Sequence, residues 1–163
     1  MKIAITLEYD GSAFAGWQLQ PGQRTVQGEM EKALHCYLRA LARQNAIELY
    51  VLPHLTASGR TDAGVHALGQ TASFSWPAEI PCDLKRLKAA LNGLTPRAIC
   101  LKRVEQRGDQ FDARRSPHIK CYTYEIVLER TKGAVAEKRA WCVGVPLRVP
   151  QMISAARVFA GAH

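Results

Sequence analysis

The chain has 163 residues, 47% of them hydrophobic and 22% charged, with a formal net charge of +8. That is one domain with part of another, ordinary in composition and long enough to bury a core without disulfide or metal staples. No run approaches the roughly 20 apolar residues that span a bilayer. The opening MKIAITLEYDGS meets Glu8 and Asp10 too early to form a secretory leader, so a cytoplasmic location is expected.

Charge and cysteines narrow the class further. Cys36, Cys82, Cys100, Cys121 and Cys142 are odd in number, widely spaced and without a CxxC pair. Neither a disulfide framework nor a zinc ribbon is expected, and the thiols read as small buried hydrophobes in a reducing cytosol. Residues 83–120 hold 10 of the 22 basic residues and 4 of the 14 acidic ones. An uneven basic surface suits a polyanion, nucleic acid first, although a solvated face selected for solubility has the same composition.

Residues 2–9 alternate Ile3, Ile5, Leu7 and Tyr9 with other side chains, the period of a half-buried strand. A loop rich in Gly, Gln and Pro runs from Asp10 to Arg24, after which Thr25 can cap a helix. Its apolar positions Val26, Met30, Ala33, Leu34, Tyr37, Leu38 and Leu41 share one face, with acids early and bases late along the helix dipole. Ile47–Leu52 reads as a second strand and residues 67–76 as a third. Asp83 opens a second helix that Asn92-Gly93 should stop, and residues 98–105 make a fourth strand. The order β-α-β-β-α-β predicts an α+β fold, a ferredoxin-like domain with both helices on one face of an antiparallel sheet, over residues 1–107. Residues 108–163 begin a second α+β domain: a polar loop FDARRSP, a long strand over 119–129, a short one around Trp141–Val143 and a helix from about Pro150.

The stretch Ser58-Gly59-Arg60-Thr61-Asp62-Ala63-Gly64-Val65-His66-Ala67 gathers a carboxylate, a guanidinium and an imidazole beside glycines that allow a close backbone turn. Spacing alone leaves open whether Asp62 does chemistry or merely caps a turn, and it favours His66 as a hydrogen-bonded side chain over a base.

GRTDAGVHA resembles the signature of the tRNA pseudouridine synthases of the TruA family. Tyr9–Leu34, His66–Gln70, Phe111–Arg114 and Tyr122-Thr123-Tyr124 resemble further segments of that family in the same order. The resemblance implies an isomerase that breaks the glycosidic bond of a uridine in the anticodon stem-loop of tRNA, at positions 38 to 40, and rejoins the base through C5. It implies no metal or cofactor, and a homodimer with RNA crossing both subunits. The essential aspartate maps onto Asp62, where a carboxylate suits the positive character that glycosidic cleavage puts on the sugar. Arg60 maps onto an arginine that helps hold the flipped base, and it is expected to keep Asp62 anionic. Tyr122 maps onto a tyrosine that lies against the uracil, while Tyr124 is expected in the core. Phe111, Asp112, Ala113, Arg114 and Arg115 fall where the family touches RNA, with the arginines suited to phosphates. Lys85, Arg86 and Lys88 either extend that basic track or form an exposed helix face.

Two departures stand out. Asp112 puts a negative charge where the family often has histidine. The chain also ends at what resembles the start of a G-x-H-D-F segment, so it is expected to be incomplete, and whether this portion is active alone stays open. The main competing class is a non-catalytic RNA-recognition module with the same β-α-β-β-α-β order. It lacks that module's aromatic signature in residues 67–76. A small-molecule enzyme using His66 and Asp62 leaves the basic asymmetry unexplained.

Overall fold

A computed structural model describes residues 1–116, 119–128 and 139–161. The chain divides into two compact units, Met1–His118 and Ile119–His163. It is a mixed α+β protein with three helices and a four-stranded antiparallel sheet among the described residues.

The first unit runs β1 (Lys2–Tyr9), α1 (Val26–Gln44), β2 (Thr56–Ala57), β3 (Ala67–Ser75), α2 (Leu84–Leu94) and β4 (Ile99–Arg107). The strands lie in the order β2-β3-β1-β4. Alternation in β1 sends Ile3, Ile5, Leu7 and Tyr9 into the core. The register sets Ile3 opposite Phe74 and Ile5 opposite Ala72, so β3 contributes to the same face. Helix α1 buries all seven apolar positions anticipated for its inner face. Its cap is the Thr25 side chain, which accepts the Gly28 N–H at 3.2 Å.

Three expectations are corrected. Ile47–Leu52 is not a strand. The Ile47 N–H instead closes the end of α1 on the Ala42 carbonyl, beyond Ala46 at φ 52°, and β2 is only the pair Thr56–Ala57 at the sheet edge. Helix α2 runs through Asn92-Gly93 to Leu94. Asn92 spends its side chain outside the helix, donating to the Leu101 carbonyl at 3.2 Å and accepting the Leu101 N–H at 2.8 Å. Thr95 then terminates the helix through Oγ1 on the Leu91 carbonyl. Third, the thiols are not uniformly buried: Cys36, Cys100 and Cys121 are exposed, and all five cysteines are free.

In the second unit Ile126–Val127 (β5) pairs in parallel with Trp141–Cys142 (β6), and Val149–Ala156 forms α3. The long strand expected over 119–129 is reduced to β5, and residue 129 lies outside the described residues. Alternation makes a strand only where a neighbour completes the ladder, and among the described residues the ladder takes in only Ile126 and Val127, with the Glu125 carbonyl accepting the Trp141 N–H at 2.8 Å at its edge. Tyr124, expected in the core, is 89% exposed. No helix among the described residues is long and apolar enough to cross a membrane.

Candidate active site

The connection from β2 to β3 carries Arg60, Asp62 and His66, and the loop after β1 clasps it. Thr61, the residue before Asp62, is held from two sides. Its carbonyl accepts the Trp17 N–H at 2.9 Å, and its hydroxyl shares a 2.8 Å hydrogen bond with the Tyr9 phenol. Beyond Asp62, the Val65 N–H turns back to the Asp62 carbonyl at 3.2 Å, and Gly64 takes φ 79° while its N–H reaches the Phe14 carbonyl. Asp62 therefore sits at a bend whose backbone is pinned at both ends.

Two glycines of the clasping loop make this approach possible. A Cβ on Gly11 would stand 2.0 Å from the Val65 carbonyl oxygen, and one on Gly16 would stand 2.6 Å from that of Thr61. Gly16 also lies at φ 91°, where side chains are strained. The indole of Trp17 is buried with its ring centroid 6.2 Å from that of Tyr9.

The Asp62 side chain is exposed. It makes no hydrogen bond or ion pair with any described residue, so its oxygens face solvent. Arg60 is exposed too, and no ion pair joins it to Asp62. His66 is part-buried: its Nδ1 lies 3.3 Å from the Gly11 N–H and 3.2 Å from Asp10 Oδ1. This is the hydrogen-bonded role that spacing favoured.

Burial raises the pKa of the Tyr9 phenol above its usual 10, offset in part by the hydrogen bond to Thr61. The folded state then holds that proton more tightly than the unfolded chain. Stability conferred by Tyr9 is fully present below about pH 10 and is lost as pH rises through the folded value. Tyr9→Phe should cost about 1 kcal/mol in denaturant unfolding at neutral pH and should flatten the alkaline loss. An unchanged unfolding midpoint would show that the Tyr9–Thr61 bond contributes nothing.

The second group of candidates forms a turn after β4. Asp112 caps it: Oδ1 accepts the Arg114 N–H at 2.8 Å and the Arg115 N–H at 3.1 Å. The negative charge of Asp112 is thus committed to the backbone. Ala113 is 2% exposed, and its N–H reaches Ser73 Oγ at 3.0 Å, which fastens the turn to β3. Arg114 and Arg115 project as exposed side chains with no acidic partner among the described residues. Phe111 is half-buried with the Arg107 guanidinium over its ring, 5.5 Å from the centroid. Ser73 is six residues along β3 from Ala67, about 20 Å at strand rise.

Lys85 and Arg86 are exposed on α2, and Lys88 Nζ donates to the Lys102 carbonyl at 2.7 Å. Tyr122 belongs to the second unit and is 73% exposed. The contributions of Tyr9, Gly11, Gly16 and Trp17 had no counterpart in the sequence reading, because each acts on a segment about 50 residues away; glycines beside an isolated aromatic were the one available signal. Among the described residues no group of three or more His, Cys, Asp or Glu side chains could hold a metal ion.

A family model described as tRNA pseudouridine synthase matches residues 5–114. The chain is 39% identical over 163 residues to a tRNA pseudouridine synthase A of Bacillus licheniformis, covering all of this chain and 62% of that protein. It is equally similar, with the same coverage, to the protein of that name from Bacillus subtilis. The counterpart from Frankia casuarinae is 40% identical over 167 residues, with 56% of its length covered. The chain therefore spans roughly three-fifths of the length of these relatives.

Proposed function

We propose that this chain, which belongs to the tRNA pseudouridine synthase family, supplies the Asp62-bearing half of an enzyme that isomerises uridine to pseudouridine in tRNA. The observation that carries this reading is the Asp62 carboxylate, exposed and without a partner among the described residues, at a bend clasped from both sides. A carboxylate needed only as a turn cap would be committed to backbone N–H groups, as Asp112 is.

The reaction breaks the C1′–N1 bond and makes a C1′–C5 bond; N1 gains a proton and C5 loses one. As C1′–N1 lengthens, positive character grows on the sugar, and an ionised oxygen beside it stabilises or traps that charge. A uridine in a stem must first leave its stack, which fits a substrate in the anticodon stem-loop at positions 38 to 40. Arg60, two residues from Asp62, is suited to fill the vacated position or to hold the flipped nucleotide. Arg114 and Arg115 are suited to phosphates at a distance from the bend, and Tyr122 presents a ring face for the uracil. Phe111, Asp112 and Ala113 build the turn that carries the arginines. The strand order fits a ferredoxin-like unit, with residues 108–163 opening a second domain. A homodimer acting in the cytoplasm without metal or cofactor completes the proposal.

The test is Arg60→Ala in the full-length protein. Turnover on tRNA should fall at least about tenfold, with the tRNA Kd within about threefold. Equal losses in both would make Arg60 an ordinary phosphate ligand.

A further inference from the structure

Gln27 and Glu31 stand one turn apart on α1. The Gln27 side chain links three groups: Oε1 accepts the Leu19 N–H at 3.0 Å, while Nε2 donates to Glu31 Oε1 at 2.9 Å and to the Leu55 carbonyl at 3.3 Å. Glu31 is 5% exposed, and the same Oε1 accepts the Leu55 N–H at 2.9 Å. Its other oxygen lies 3.5 Å from Nδ1 of the exposed His54. Both backbone groups of Leu55 are therefore satisfied by side chains of α1, immediately before β2 begins at Thr56.

The connection to the bend is short on both sides. The Gln27 N–H donates to the Trp17 carbonyl at 3.0 Å, and the Trp17 N–H donates to the Thr61 carbonyl. Leu55 leads through β2 to Ser58, whose N–H is tied to the Thr71 carbonyl at 2.8 Å. The two side chains thus bond both the segment before the bend, at Leu55, and the loop that clasps it, at Leu19, while the Gln27 backbone adds the link to Trp17. Burying a carboxylate is costly, and an apolar pair could fill the same volume. What directional hydrogen bonds add is register, because they fix where each strand of chain sits along the helix.

We propose that Gln27 and Glu31 are positioning residues for catalysis: as a polar clamp they hold both flanks of the Asp62 bend so that the carboxylate meets its nucleotide in productive geometry. This rests on Asp62 being the reacting carboxylate. A misplacement of about 1 Å can cost about 100-fold in rate while leaving binding nearly intact.

The test compares Gln27→Met, Glu31→Ala, Glu31→Gln and Asp62→Asn with the parent full-length protein, using tRNA tritiated at uracil C5 and temperatures well below each unfolding midpoint. Gln27 is only part-buried and Met matches its length, so that variant tests the clamp even if Glu31→Ala does not fold. Turnover at saturating tRNA should fall at least about tenfold in Gln27→Met and Glu31→Ala, with the tRNA Kd within about threefold. Glu31→Gln keeps an oxygen for the Leu55 N–H and should recover most of the rate. Parental turnover per folded molecule in Gln27→Met, or a loss confined to tRNA affinity, overturns the clamp. If Asp62→Asn is inactive in that case, the clamp alone fails; an active Asp62→Asn overturns the clamp and the site assignment together.

Discussion

Asp62→Asn in the full-length protein should lower turnover on tRNA by at least about three orders of magnitude while leaving the tRNA Kd within about threefold. Asparagine has nearly the same shape but is neutral, so it offers no charge to a sugar that is becoming positive. The exposed carboxylate makes no hydrogen bond or ion pair with a described residue, so folding stability should move by less than about 0.5 kcal/mol. Single-turnover nucleoside analysis, filter binding and thermal unfolding check the three parts. Loss of stability in step with loss of rate would make Asp62 a structural residue, and parental turnover would remove it from the chemistry.

The second large effect belongs to two glycines of the loop that clasps the bend. Gly11→Ala would push a methyl group to within 2.0 Å of the Val65 carbonyl oxygen, and Gly16→Ala would place one 2.6 Å from the Thr61 carbonyl oxygen at φ 91°. Both obstacles are backbone, so the clasping loop and the Asp62 bend can no longer keep their present approach. Each variant should lose about 1–3 kcal/mol of stability and about 100-fold or more in turnover measured where it remains folded. Gly93→Ala is the internal control. It lies inside α2 with nothing within 4 Å of the added carbon, so it should stabilise by about 0.5–1 kcal/mol and leave turnover alone. Full activity in Gly16→Ala would show that the clasp does not define the position of Asp62.

The contrast between Asp62 and Asp112 shows how much of the site was legible. Both are acids in short polar segments beside arginines, and periodicity cannot separate them. The structure can: Asp112 spends its oxygen on the Arg114 and Arg115 N–H groups, whereas Asp62 spends neither. Elements set by local rules were readable. The Thr25 cap, the apolar stripe of α1 and the alternation of β1 need only neighbours in sequence. Ile47–Leu52 was misread because its apolar residues pack partly against the core without a ladder, and the groups that would have continued β2 toward it belong to the Gln27–Glu31 clamp. Alternation alone points Tyr124 to a core, which holds only when a partner strand is present. The clasp was only hinted at by its glycines, for a different reason: Gly11, Gly16 and Trp17 reach Thr61 and Val65 across a sequence distance no local pattern spans.

Release of tritium from tRNA labelled at uracil C5, measured side by side for the full-length protein and its Asp62→Asn variant, decides the matter most directly. The expected result is release by the parent in step with pseudouridine formed, and none above background with the variant. Equal release from both, or none from the parent on any tRNA, would contradict a uridine isomerase working through Asp62.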